Sequence, residues 1–333
     1  MFNNCLKFLI SSAKKTKKKQ TFALNFIQVL NYLYFRQEKA MNIALITYND
    51  NGFYHTLSPE NEDDLLIKFL NSKEFNVEKI VWNTPVVNWE HFDLAILKSP
   101  WDYFNLIEDF YQWLRVLEEK KVKLLNPIAT VRWNADKHYL KDISESGLGV
   151  AKCIFLEKGI EISLKNYFNS LGFSKLIVKP AVSGGSKNTF KVTSENVAEI
   201  NLQLNELLKK ESYILQPFLK EIEEAGEWSF LFFGGEYSHA LLKKAKEGDF
   251  RVQHSFGGTI HPQEPPVHLI ETAKKYVDQF AKGCLYARVD GVLVNNEFQL
   301  MELELIEPFL FLETNPNSYE NYYQALLKTY EVL

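Results

Sequence analysis

Residues 177 to 186 read Ile177, Val178, Lys179, Pro180, Ala181, Val182, Ser183, Gly184, Gly185, Ser186. A strand-like apolar run delivers a lysine to its end, and a turn of small residues follows. That puts a fixed ammonium beside a loop whose backbone N–H groups can close on phosphate oxygens. A strand ending in an ordinary hairpin suits the same residues. The Walker A spacing Gly-x-x-x-x-Gly-Lys-Ser/Thr is absent, and neither His-Arg-Asp nor Asp-Phe-Gly follows, so the P-loop and protein-kinase readings fail.

Toward the C-terminus, Arg288, Val289, Asp290 lie in one strand-like run and Glu302, Leu303, Glu304 in the next. Residues two apart on a strand share a face, so Glu302 and Glu304 can point together and a neighbouring strand can bring Asp290 to them. Three carboxylates suit Mg²⁺, a hard octahedral ion; a solvated strand face is the alternative, opposed by the apolar Leu300, Met301, Leu305 and Ile306 around them. Without metal the three should repel one another, so alanine at any of them is expected to cost turnover far more than melting temperature. Between the two motifs, Gln216, Pro217, Phe218, Leu219 read as a hinge leading directly into the next strand. Exposed backbone there can meet an adenine edge, with Glu227 available to ribose hydroxyls.

Strands and helices alternate from Met41 onward. Runs at Asn42–Thr47, Val77–Trp82 and Asp93–Lys98, with helical spacing of Ile107, Phe110, Leu114 and Leu117, predict a small parallel sheet over 41–128. The sequence then predicts one helix from Thr130 to Ser144, strands at Cys153–Leu156, Lys175–Pro180 and Thr189–Thr193, and a helix at Glu195–Lys209. Tyr213–Leu219 follows, then a hairpin about Gly234 and Gly235, a helix opened by Pro265 and Pro266, and a last strand pair about Asn295 and Asn296. Lys137 reads by itself as a solvated helix lysine, and Trp101 as a residue that follows a strand end or packs on Phe104. His55, His91, His239 and His261 have no partner spacing and read as surface or core histidines.

The chain has 333 residues, 46% hydrophobic and 14% aromatic, enough for two or three packed units. Its net charge is −4, split between +7 in residues 1–40 and −11 in the rest. The leader carries a basic run from Lys14 to Lys19 and an apolar stretch interrupted by Asn25, Gln28 and Asn31, too short to span a bilayer. It is expected to be extraneous or disordered, with Met41 as the start. Cys5, Cys153 and Cys284 are odd in number and widely spaced, which points to a reducing cytoplasm and away from a disulfide framework. No nucleic-acid or membrane partner is expected, and the oligomeric state is not legible.

The succession Lys137, Lys179, small-residue loop, Gln216 hinge, Glu227, Arg251, Asp290 and Glu302-x-Glu304 resembles the ATP-grasp superfamily, which includes glutathione synthetase and D-alanine:D-alanine ligase. The phrases Lys98–Tyr103, Gly248–Gln253 and Glu302–Pro308 look like the branch containing the cycloserine-biosynthesis cyclo-ligase. The resemblance implies an α/β ATP-grasp fold: a pre-ATP-grasp domain over 41–128, lobe 1 over 129–215 and lobe 2 over 216–333. It implies ATP and Mg²⁺ as cofactors, and an ADP-forming ligase that joins a small-molecule carboxylate to an amine, with a non-catalytic ATP-binding protein as the alternative. Lys137 and Lys179 would hold phosphates under a loop of Ser183, Gly184, Gly185 and Ser186. Gln216, Pro217, Phe218 and Leu219 would meet adenine, and Glu227 ribose. Asp290, Glu302 and Glu304 would bind Mg²⁺, while Arg251 and Arg288 would steady the transferring phosphoryl group. The family often has Asn where this chain has Glu304, which adds a negative charge.

Overall fold

The computed structural model of the chain describes residues 40–49, 62–185, 187–246, 252 and 257–332. The leader, most of the turn after Asn49, His55, Ser186 and Arg251 therefore lie outside the described residues. Strands β1 (Asn42–Thr47), β2 (Asn76–Val81), β3 (Leu94–Ser99) and β4 (Leu124–Leu125) form a parallel sheet in the order β2-β1-β3-β4. Every residue of β1 and β3 is buried, as central strands covered on both faces require. Ile43, Leu45 and Ile96 pack on Leu66 and Leu70 of helix α1 (Glu62–Ser72). Ala44, Ile46 and Leu97 pack on Phe110, Leu114 and Leu117 of α2 (Ile107–Glu119), on the opposite face.

The predicted single helix over 130–144 is instead two, α3 (Ile128–Asn134) and α4 (Tyr139–Glu145). The break frees the Lys137 N–H, which donates to the Ala181 carbonyl at 2.9 Å, and the side chain is buried rather than solvated. An antiparallel sheet follows, order β5-β8-β6-β7, from β5 (Ile154–Leu156), β6 (Leu176–Pro180), β7 (Phe190–Val192) and β8 (Tyr213–Pro217). Helices α5 (Leu164–Leu171) and α6 (Val197–Leu208) accompany it. The short helix α7 (Lys220–Glu224) separates the hinge from the next strand, where the sequence reading had strand running into strand.

The third sheet, order β11-β10-β9-β12-β13, is antiparallel: β9 (Glu227–Phe233), β10 (Glu236–Lys244), β11 (Thr259–Pro262), β12 (Tyr286–Val294) and β13 (Glu297–Glu304). Gly234 and Gly235 (φ +55° and +83°), like Asn295 and Asn296 (φ +51° and +64°), make the two-residue turns with positive φ that match strand twist. One face packs on α8 (Val267–Phe280) through Phe230, Phe232, Ala287, Val289 and Leu303. The other meets α9 (Ser318–Val332) and the first sheet through Leu231, Phe233 and Tyr286. Helices α1, α5, α7 and α9 and strand β11 were not read from the sequence.

Two polar ties join the first sheet to the third. Asn126, just past β4, is fully buried: its amide donates to the Tyr286 and Leu305 carbonyls at 2.9 Å, and its oxygen accepts from the Leu285 N–H at 2.7 Å. Glu62 accepts from the Leu310 and Leu312 N–H groups at 2.8 and 3.0 Å while pairing with buried Lys98 at 2.9 Å. No helix among the described residues is long and apolar enough to cross a membrane.

His239, on β10, is a core histidine; its Nε2 reaches the Leu310 carbonyl at 3.0 Å. Burial pulls it from its ordinary 6.5 down to about 4. The neutral ring is the folded form, so the stability it contributes is present above pH 6.5 and lost as pH falls toward 4. The shift corresponds to roughly 3 kcal/mol. Urea titrations of wild type and His239→Gln across that window should show the steeper decline in wild type; parallel curves would refute the assignment.

Candidate active site

A cavity of about 350 Å³ opens where the second and third sheets face each other below the turn after β3. Strand alternation decides its chemistry. On β12, Ala287 and Val289 enter the α8 core, so Arg288 and Asp290 face the other way; on β13, Leu303 does the same for Glu302 and Glu304. Cross-strand register sets Asp290 opposite Glu302 and Arg288 opposite Glu304. Lys179 arrives from β6, Lys137 from the break between α3 and α4, and Glu227 from the start of β9.

The carboxylates are covered by cations. Glu302 pairs with Lys137 at 2.8 Å. Asp290 takes Arg288 at 2.9 Å, Lys243 at 3.2 Å and the Ser229 hydroxyl at 2.5 Å. Glu304 contacts Arg288, and Glu227 pairs with Lys243 at 2.5 Å. Although burial opposes ionisation, Arg288 and Lys243 hold Asp290 well below the usual carboxylate range. Burial lifts Glu304 to about 8 despite Arg288, with Asp290 and Glu302 adding to the rise. Among the described residues no three His, Cys, Asp or Glu side chains are grouped as a metal cage.

Among the described residues Lys179 has no ion-pair partner. Burial pulls its ammonium below the usual lysine range; Lys137 adds to this and Glu302 opposes it. Lys137 also donates to the Ser183 carbonyl at 2.7 Å, and Ser183 Oγ donates to the Pro180 carbonyl at 3.0 Å, so lysine and loop form one unit. A Cβ on Gly184 would lie 2.5 Å from the Phe104 ring, and Lys187 donates to Asn105, so the loop rests on the turn after β3. Gly185 has φ +58°.

Gln216, Pro217, Phe218 and Leu219 line the cavity with Ile177, Ile222 and Met301, a largely apolar slot. Gln216 is buried, and among the described residues its Nε2 has no hydrogen-bond partner. Of the residues named from sequence, the structure brings together Lys137, Lys179, Ser183, Gly184, Gly185, Gln216–Leu219, Glu227, Arg288, Asp290, Glu302 and Glu304. Ser186 and Arg251 cannot be placed. Trp101 lies against Tyr48, ring centroids 5.4 Å apart, and its Nε1 donates to the Glu307 carbonyl at 2.9 Å. Asp102 accepts from Trp82 Nε1 at 2.6 Å.

Sequence reading missed Lys243 and Glu307. Lys243 shares its face of β10 with Leu241, yet the Lys243, Lys244 pair at a strand end gives no sign of which lysine turns inward. Burial pushes the Glu307 carboxyl up to about 7 against the pull of Lys137, with Glu302 adding to the rise.

The model of the D-cycloserine synthetase DcsG N-terminal domain matches residues 43–126. The cycloserine biosynthesis protein DcsG of Streptomyces lavendulae is 26% identical over 168 residues, 49% of this chain and 56% of that protein, so the match spans about half of each. The crystal structure of D-cycloserine synthetase DcsG superposes with a TM-score of 0.75 at 22% identity, covering 87% of this chain and 99% of that one. D-Alanine–D-alanine ligase from Bacillus anthracis, solved with ATP, gives a TM-score of 0.62 at 16% identity, covering 88% and 98%. The chain thus has the ATP-grasp fold, with a parallel four-stranded sheet ahead of two antiparallel-sheet lobes. Its sequence is similar to that of D-cycloserine synthetase DcsG, and it shares its fold with D-alanine–D-alanine ligases.

Each of the three carboxylates also has a cation beside it, which argues against the expectation that they contribute little without metal. Asp290→Asn takes from Arg288 and Lys243 the carboxylate they share and leaves them Glu304 and Glu227, so the loss should lie at or below the about 3–5 kcal/mol of a buried pair broken outright. Denaturant unfolding of the metal-free protein should show that loss. A variant as stable as wild type would restore the repulsion picture.

Proposed function

We propose that the protein is an ATP- and Mg²⁺-dependent ligase that converts a carboxylate into an acyl phosphate and transfers it to an amine, releasing ADP and phosphate. The observation that carries this reading is Lys179, a buried ammonium with no carboxylate partner among the described residues, beside Lys137 and the Ser183–Gly185 loop. A polyphosphate answers that arrangement. The apolar slot from Gln216 to Leu219 receives the base, and Glu227 the ribose hydroxyls.

The donor set fits Mg²⁺, since Asp290, Glu302 and Glu304 are hard oxygen ligands lining the same cavity. Bound there, the ion would supply charge neutralisation to the transferring phosphoryl group. On nucleotide entry Lys137, which pairs with Glu302, would turn to a phosphate and free the carboxylate for the metal. Arg288, held by the Phe309 carbonyl at 3.0 Å, stays fixed and faces the negative charge that develops on the acyl phosphate. With Gly184 seated on Phe104, the loop excludes water that would hydrolyse this intermediate. Kinship to a D-cycloserine synthetase makes a substrate carrying both carboxylate and amine the first to assay, with ligation inside one molecule.

Turnover should give ADP and phosphate, and hydroxylamine in place of the amine should trap a hydroxamate. AMP and pyrophosphate from a true substrate would contradict the mechanism, and MgATP binding without phosphate release from any substrate would leave a non-catalytic binder. Lys179→Ala should weaken ATP binding by about 10- to 100-fold, the worth of a charge-assisted hydrogen bond. Lys209→Ala, which removes an exposed lysine paired with Glu206 at 2.7 Å, should leave binding unchanged. Equal effects from the two would remove Lys179 from the phosphate site.

A further inference from the structure

The cavity wall carries four cations, Lys137, Lys179, Lys243 and Arg288, and five carboxylates, Glu227, Asp290, Glu302, Glu304 and Glu307. Cross-pairing leaves one of each over. Among the described residues Lys179 has no carboxylate, and Glu307 has no cation within salt-bridge distance. The unmatched ammonium is accounted for by the polyphosphate. The unmatched carboxylate asks for a positive charge that the described residues do not supply. Glu307 stands beyond the end of β13, its main-chain carbonyl fixed by Trp101, and Tyr103 and Phe309 line the same part of the cavity. Aromatic faces beside a carboxylate favour an organic cation, which gains from ring and charge together, over a hydrated metal ion, which seeks more oxygen ligands.

We propose that Glu307 is the docking carboxylate for a primary ammonium group, and that the amine partner of the ligation enters there in its protonated form, against Trp101 and Phe309, and passes a proton to the Glu307 carboxylate before the free amine attacks the acyl phosphate and displaces phosphate. This rests on the ligase reading and assigns the amine side of its site. The burial that raises the Glu307 carboxyl disfavours its anion, and a cation bound beside it would offset that cost.

The test is saturation-transfer NMR with methyl-, ethyl-, propyl- and butylammonium chloride against the matching alcohols, on free and MgADP-loaded protein. Wild type should bind at least one ammonium ion saturably and none of the alcohols. Glu307→Gln should weaken ammonium binding about tenfold or more, since a hydrogen bond to a charged group is lost, while Glu307→Asp keeps it measurable. MgADP affinity should be equal in all three proteins. Absence of saturable binding by every ammonium ion, or undiminished binding in Glu307→Gln, overturns the proposal. Loss of MgADP affinity in Glu307→Gln also overturns it, by placing Glu307 in the metal set. Failure of wild type to bind MgADP would sink the ligase reading instead, and the free-protein titration would still decide Glu307.

Discussion

Nine acidic and basic side chains crowd one cavity, and the mutual neutralisation of seven of them is the constraint on which the rest of the architecture depends. A carboxylate or ammonium withdrawn from water is costly unless a partner stands within a few ångströms. Register supplies the partners: Arg288 lies opposite Glu304 and two residues from Asp290, and Lys243 from the next strand but one reaches both Glu227 and Asp290. A slip of one residue would send these charges into the α8 core and Leu303 into the cavity. The apolar face of the third sheet therefore does more than stabilise; it fixes which way the polar face points.

The first sheet is held to this arrangement by polar groups used as fasteners. Asn126 completes backbone positions of β12 and the segment after β13, and Glu62 caps N–H groups of the segment after Pro308. These contacts orient the turn after β3, whose Trp101 then fixes the main chain at Glu307. The main chain at Glu307 is thus tied to the packing of the first sheet.

Much of this was legible in the sequence. Strands β1, β3, β6, β9, β10, β12 and β13 announce themselves by apolar runs, and Gly234–Gly235 and Asn295–Asn296 by turn chemistry. The fold class followed from the alternation of strands and helices and from the resemblance of a few spaced residues to the ATP-grasp superfamily. Helix α9 was missed because Tyr319, Tyr322, Tyr323 and Tyr330 spread aromatic surface around the helix and blur its period. The break at Lys137 was missed because nothing in Asn134–His138 forbids a helix; a tertiary hydrogen bond to Ala181 makes the break. Pairing was illegible for the same reason. Spacing places Glu302 and Glu304 on one face, but only the third dimension shows that Lys137 and Arg288 stand over them.

The seat of Gly184 on Phe104 has a consequence for how such chains can be recombined. The ring occupies the volume that a side chain on the loop would need, so the two units were fitted to each other atom by atom. A chimera that kept the loop and took its first unit from another enzyme would inherit a matching surface only if that unit offered a flat ring, and an amide like that of Asn105 for Lys187, at the same turn. The boundary between the units is open in the chain and closed in space, and shuffling across it has to respect a lock of one glycine and one phenylalanine.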